Sequence, residues 1–317
     1  MSPGSRNNSF SEKQKSLSGK KPRLLLRARM IQAIRRFFIE HNYLEVETPQ
    51  LISAPAPEAH IDAVGTGNSY LHTSPELCMK RLLAAGFKEI FQISKCFREE
   101  EKGDLHLPEF TLLEWYRTGI DYKELMEECE ALFLSVSQDL GMMGKLYRQG
   151  VKITLNSPWE RLSVSAAFDR YASLSLETAI EKNCFDKVMV EEIEPRLGMS
   201  RPTFLYDYPA SMAALARLSP QNRKVAERFE IYIAGVELAN GFSELTDAVE
   251  QRARFENELQ QRKNMGKHVC PMPEIFLKSL EYMPKAAGIA LGVDRLAMIF
   301  TDSPRINNVV SFSPADP

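Results

Sequence analysis

The sequence predicts an α+β fold, a mainly antiparallel sheet flanked by helices, and three observations carry that reading. Short segments with strand alternation come as neighbouring pairs, with helical stretches between them in no regular strand-and-helix order. No G-x-G-x-x-G follows any of those strands, so a doubly wound dinucleotide fold has no support. The 317 residues are 44% hydrophobic and 26% charged with a net charge of −2, an ordinary globular composition with material for a sizeable core. That charge balance removes the simplest argument for a nucleic-acid binder, so any polyanion would have to meet a local basic cluster. No run of about 18 apolar residues is present to span a membrane, and the N-terminus has no apolar signal core. The five cysteines, Cys78, Cys96, Cys129, Cys184 and Cys270, are odd in number and form no C-x-x-C pair. They read as reduced thiols of a cytoplasmic protein.

The elements follow in order. Residues 1–22 contain six serines, five basic residues and one acid, and are expected to be a disordered tail. No linker or repeat interrupts residues 23–317, which are expected to form one domain. From Leu26, the positions Met30, Ala33, Ile34, Phe37 and Phe38 keep helical spacing, with Arg27, Arg29, Arg35 and Arg36 on the other face. Alternation over 41–49 predicts a strand that Pro49 ends. Ser74-Pro75-Glu76 opens a helix through Leu83, with Pro75 at its first position. Phe91–Arg98 and Glu109–Tyr116 predict a hairpin with a long polar loop. A helix is expected over 121–140, a short strand over 151–155, and a helix-rich stretch to Leu197. Strands are expected over 203–209, 228–233 and 237–242, then a charged helix over 247–265. An apolar strand feeding a helix closes the chain over 288–300.

The chemistry begins with absences. There is no G-x-x-x-x-G-K-[ST], H-E-x-x-H or G-x-S-x-G. A phosphate substrate would therefore be held by side-chain arginines. Arg98, Glu100, His106, Glu109, Glu114 and Arg117 crowd into the predicted hairpin, and alternation sets Glu114 and Tyr116 on the face of Arg98. Charges on a covered sheet face cost several kcal/mol unless paired or liganded, yet the spacing alone fits a solvated face equally well. Glu230, Glu237 and Glu244 recur at intervals of seven around the turn at Ala234-Gly235. Carboxylates converging from neighbouring strands suit Mg²⁺ with phosphate oxygens. Surface strands would show the same spacing. Arg295 starts a buried helix and needs an anionic partner, either Asp294 beside it or a ligand.

These residues also carry a resemblance. Phe97-Arg98-Glu99-Glu100 with His106-x-Pro108-Glu109-Phe110 resembles motif 2 of the class II aminoacyl-tRNA synthetases. Ala290-Leu291-Gly292-Val293-Asp294-Arg295 is similar to their motif 3, and the helix running into Glu45-Val46-Glu47-Thr48-Pro49 to motif 1. Ser74-Pro75-Glu76, Pro108–Tyr116 and Glu237–Leu245 resemble the lysine pocket of the lysyl branch. The short segment before motif 1 lacks an anticodon-binding OB-fold. With Leu113-Glu114-Trp115-Tyr116-Arg117, it looks most like the synthetase paralogues that ligate (R)-β-lysine to elongation factor P.

The resemblance implies a cytoplasmic homodimer that uses ATP and Mg²⁺ to activate lysine or (R)-β-lysine, with elongation factor P as acceptor and tRNA not expected. It implies that Arg98 grips the α-phosphate and the substrate carboxylate. Glu100 and His106 would hold the adenine and triphosphate ends, Phe110 would stack on adenine, and Arg295 would bind the γ-phosphate. Leu238 and Gly292 would line the nucleotide site, and Glu230 and Glu237 would hold Mg²⁺. Ser74, Pro75, Glu76, Tyr116, Glu244 and Ala290 would line the amino-acid pocket, with Glu114 and Asn240 at the amino and carboxylate ends and Phe242 on the alkyl stem. Leu107 and Glu99 replace usual asparagines, Asp104 makes the motif 2 loop more acidic, and Ala290 replaces a usual glycine. Two other readings stay open at this point: a compact enzyme charging tRNA, and a non-catalytic amino-acid sensor. The acidic motif 2 loop speaks against the first, and retention of Arg98, Glu237, Glu244 and Arg295 against the second.

Overall fold

A computed structural model describes residues 3–313, with side chains from Leu17 onward. Its centre is an eight-stranded sheet. In chain order the strands are β1 (Leu44–Glu45), β2 (Glu89–Phe97), β3 (Glu109–Thr118), β4 (Glu160–Ser163), β5 (Thr203–Pro209), β6 (Val225–Ile233), β7 (Val236–Ser243) and β8 (Ala286–Gly292). Their order across the sheet is β1-β2-β3-β8-β7-β6-β5-β4. All pairings are antiparallel except β1 with β2 and β4 with β5 at the two edges. The predicted α+β class is therefore the observed one. Ala234 and Gly235, both at positive φ, make the two-residue turn between β6 and β7.

One face of the sheet packs against α1 (Pro3–Glu40), α2 (Tyr122–Asp139) and α3 (Val293–Phe300), with Trp115, Phe38, Phe91 and Phe133 among the fully buried side chains. The boundaries of α2 follow from its caps. Asp121 accepts from the backbone N–H groups of Lys123 and Glu124, and the Glu124 carboxylate accepts in turn from Asp121 N–H. The opposite face is roofed by the helices Glu76–Ala84, Ala248–Asn264 and Glu274–Ser279 around a second apolar cluster that includes Leu77, Tyr116, Phe242 and Phe276. The helix-rich stretch over 164–197 forms a third cluster beside β5.

Three local expectations differ. Helix α1 begins at Pro3 and passes through the stretch expected to be disordered; Met1 and Ser2 lie outside the described residues. From Leu17 to Arg29 no side chain is fully buried, although Leu26 packs partly buried against the core as the expected stripe requires; the fully buried positions start at Met30. The strand expected over 41–49 shrinks to β1, because Leu44 and Glu45 are exposed at the sheet edge and only they pair with β2. Pro75 caps the helix Glu76–Ala84 and does not start it. The hairpin Lys145–Arg148 with Val151–Thr154, strand β4 and the helix Glu274–Ser279 have no counterpart among the expected elements beyond the strand at 151–155. All five cysteines are free.

Candidate active site

Sheet register assembles the site. Reading across one row, Gln92 pairs with Glu114, Glu114 with Ala290, Ala290 with Asn240, and Asn240 with Glu230. In the next row Ile90, Tyr116, Gly288, Phe242 and Arg228 are partners in turn. Directly opposed residues share a face, so residues distant in sequence meet on the roofed side of the sheet. The hairpin face is therefore covered and not solvated: Glu114 is 0% exposed.

Two regions lie on this face. The first is a cavity of about 400 Å³ whose wall includes Arg98, His106, Phe110, Glu230, Glu237, Leu238, Asn240, Ala290, Gly292 and Arg295. Arg98 lies over the Phe110 ring at 5.0 Å and pairs with Glu101 at 3.0 Å, while its Nε, buried, has no hydrogen-bond partner among the described residues. Arg295 donates to the Glu237 carbonyl at 2.8 Å and the Glu237 carboxylate at 3.2 Å, and to His106 Nε2 at 2.5 Å. Burial and then the Arg295 charge hold the His106 pKa down, so its ring accepts as a neutral imidazole. Asp294 does not neutralise Arg295. It accepts from Arg27 of α1 at 2.6 Å and from Thr111 N at 2.7 Å, which leaves Arg295 to the cavity.

Beyond Asn240 lies the second region, a largely buried acid cluster. Glu114 accepts from Ser74 Oγ at 2.5 Å and from Tyr116 O–H at 2.8 Å. Glu244 is 1% exposed, and its Oε1 has no hydrogen-bond partner among the described residues. Burial pushes both carboxyls up to about 8, with Glu76 adding repulsion. Among the described residues the cation ion-paired with these acids is Lys80, which pairs with Glu76 and stands 2.5 Å from Glu244 Oε2 and 5.0 Å from the Phe242 ring centre. Burial alone would discharge Lys80, but Glu244 and then Glu76 outweigh it and its pKa rises. The pocket expected to hold only a substrate ammonium thus already contains one, facing three carboxylates. Gly288 floors this pocket: a Cβ there would stand 2.2 Å from the Tyr116 ring and 2.7 Å from Glu244 Oε1.

The structure brings together all the expected residues except one. Glu100 is exposed and does not line the cavity; Glu101 does, held by Arg98. Pro75 is buried and sets the helix cap that places Ser74 and Glu76. Glu230 is engaged by Arg228 at 2.6 Å and by Tyr232 O–H at 2.7 Å, and burial raises its pKa. Glu194 joins it: burial, then repulsion from Glu230 and Glu237, pushes its carboxyl up to about 7. Among the described residues no group of three or more His, Cys, Asp or Glu side chains has the geometry of a preformed metal site. Lys80, Glu101, Glu194, Arg228 and Gly288 were not singled out from sequence. Lys80 had a signal, its i,i+4 spacing from Glu76, and Arg228 shares a strand face with Glu230 by i,i+2 alternation. The others had none.

Residues 15–316 match the sequence profile described as tRNA synthetases class II (D, K and N). The chain belongs to that family. Among its relatives, the elongation factor P–(R)-beta-lysine ligase of Proteus mirabilis is 43% identical over 305 residues, 91% of this chain and 94% of the relative. Proteins of the same name from Edwardsiella ictaluri and Haemophilus influenzae are each 41% identical over 92% of this chain and 94% of their own length. Membership of that family accords with the mainly antiparallel sheet. Among the described residues, no helix is long and apolar enough to cross a membrane.

Proposed function

We propose that this chain, with residues 23–317 as the catalytic unit, is an ATP-dependent ligase. It activates (R)-β-lysine or lysine as an aminoacyl adenylate and transfers it to a lysine side chain of elongation factor P. The observation that carries this reading is the juxtaposition of a cavity lined by Arg98, Arg228 and Arg295 and an under-compensated carboxylate pocket. The names and coverage of the relatives support it. In the first step the substrate carboxylate attacks the α-phosphorus and pyrophosphate leaves. No side chain acts as a covalent nucleophile; positioning and cationic stabilisation lower the barrier. Arg98, with its spare Nε donor, grips the α-phosphate and carboxylate, and Phe110 stacks on adenine. Arg295 exchanges Glu237 for the γ-phosphate, and His106 steadies the triphosphate end. Asn240 spends its Oδ1 on Arg228 at 2.9 Å and keeps its amide N–H groups for the substrate. Glu76, Glu114 and Glu244 with Tyr116 receive the ammonium groups, and Phe242 packs on the stem.

The Glu194, Glu230 and Glu237 carboxylates repel one another, and this donor chemistry fits a divalent ion completed by phosphate oxygens. Glu230 and Glu237 would hold Mg²⁺, which supplies charge neutralisation at the phosphates. A homodimer belongs to the same reading, supported by Ile39, Leu44 and Leu51, which are 61%, 50% and 55% exposed around the motif 1 segment.

A tRNA acceptor is disfavoured by the acidic motif 2 loop, where Glu99 and Glu100 are exposed and Asp104 is 70% exposed. The test is intact-mass measurement of purified elongation factor P after incubation with the protein, ATP and each lysine isomer, with tRNA charging alongside. Addition of one lysyl mass to the protein supports the reading. Charged tRNA with unmodified protein would overturn it.

A further inference from the structure

The transfer step needs an amine without its proton, and the pocket chemistry above provides no group to remove it. Glu58 meets the requirement by position. A second cavity of about 580 Å³ lies beside the amino-acid pocket, walled by Pro49, Ala54, Leu77, Met272 and Phe276 and bordered by Ser74 and Glu76. Glu58 lines both this cavity and the nucleotide cavity. Its carboxylate makes no hydrogen bond or ion pair among the described residues, although Arg98, Glu76, Glu258 and Arg228 all face it.

The loop that carries Glu58 is built to hold it there. Arg262, 4% exposed, donates to the carbonyls of Glu58 at 2.8 Å and Ile61 at 2.9 Å and to the Asp62 carboxylate at 2.7 Å. Glu258 accepts from Ala59 N at 2.7 Å, Lys267 donates to Asp62 at 2.7 Å, and Asp62 O accepts from Glu99 N at 2.9 Å, tying the loop to motif 2. A buried guanidinium spent on loop carbonyls fixes backbone position without touching the carboxylate that the loop presents.

We infer that Glu58 is the base that deprotonates the acceptor lysine, whose side chain reaches the adenylate through the apolar-walled cavity. This inference rests on the acceptor reading above. The apolar part of the wall suits four methylenes, and the Glu58 carboxylate, with Glu76 also on the lining, suits an ammonium although Arg81 and Glu274 line the same cavity. The acceptor ammonium gives one proton to Glu58. The neutral amine then attacks the adenylate carbonyl; the C–N bond forms, the C–O bond to phosphate breaks, and AMP leaves with the bonding pair. The nitrogen's second proton passes to water, as does the first from Glu58. Burial, opposed by Arg98 and then reinforced by Glu76, pushes Glu58 up to about 7, so the carboxylate is ionised and competent above neutrality.

The experiment compares wild type, Glu58→Gln and Glu58→Asp in two assays between pH 6 and 9. One is amino-acid-dependent pyrophosphate exchange. The other is single-turnover transfer from enzyme-bound adenylate to elongation factor P and, separately, to n-butylamine. Glu58→Gln should exchange within about threefold of wild type, transfer about 100-fold more slowly near neutrality, and lose the rise that levels off above pH 7, its rate instead climbing throughout to pH 9 with the free-amine fraction. Glu58→Asp should keep that rise. Wild-type transfer rates and pH profile in Glu58→Gln would overturn the inference, as would a rise in amino-acid KM that accounts for the whole defect. Wild-type transfer to n-butylamine without transfer to elongation factor P would instead count against the acceptor protein.

Discussion

The nucleotide cavity and the amino-acid pocket share one sheet face but hold charge in opposite ways. In the cavity each arginine has a carboxylate near it at rest, Arg98 with Glu101 and Arg295 with Glu237. These pairs are partly exposed and can be exchanged for phosphate oxygens at small cost. In the pocket Glu114 and Glu244 are fully buried and Glu76 is partly so, and among the described residues the cation ion-paired with these acids is Lys80. Unbalanced buried charge is relieved either by protonation or by an incoming cation. The first region is thus matched until an anion displaces a partner, while the second is mismatched until a cation arrives.

That contrast orders the expected effects. Arg98→Ala should have the largest: amino-acid-dependent pyrophosphate exchange falls by about 10³-fold or more, because a charged donor to the reacting phosphate is lost. Its Tm should stay close to wild type, since the Glu101 pair is not a buried one. A Tm drop matching the activity loss would make the residue structural. Next, Glu244→Gln should raise the KM for the amino acid about 100-fold while leaving the KM for ATP within about twofold, the cost of halving the compensation of a desolvated ammonium. Equal effects on both substrates would break the separation of the two regions.

The pH response comes third. Glu114 and Glu244, at about 8, are largely protonated in the empty pocket at neutral pH. A bound ammonium favours their ionised forms, so binding expels protons. Affinity for the cationic amino acid therefore strengthens as pH rises from about 6.5 and levels off past about 8, roughly tenfold overall if one proton is released. Calorimetry in buffers of different ionisation enthalpy reads the proton release directly, and zero release would show that the acids are already ionised. The smallest effect belongs to Ala290→Gly. Ala290 sits in register between Glu114 and Asn240, and removing one methyl should change the preference between α-lysine and (R)-β-lysine by about tenfold or less. An unchanged ratio of kcat/KM would place amino-group selection elsewhere.

Much of this was legible in the chain. Alternation in Phe91–Arg98 and Glu109–Tyr116 put Arg98, Glu114 and Tyr116 on one face; the register agrees for Glu114 and Tyr116, while Arg98 lies one residue past the end of β2 and lines the cavity. Asp121 and Asp247 announced helices that begin where those side chains cap the first turn. The roof over that face was not legible, and the misplacements follow from it. Glu100 and Glu101 are neighbours in a polar loop without periodicity, so only the loop's path decides which one meets Arg98. Asp294 looked like a partner for its neighbour Arg295, but Arg27, 267 positions away, claims it.

The order of amino acids by itself determined which residues lie on the working face and what charges they bring, because strand alternation and helix spacing are local geometry. Tertiary structure alone decided what faces them: that Lys80 enters the acid pocket, that Gly288 leaves room for Tyr116, and that Glu58 reaches both cavities. Those outcomes depend on long-range packing of helices and loops over the sheet, and the energy of a buried charge is set by such neighbours and not by its place in the chain.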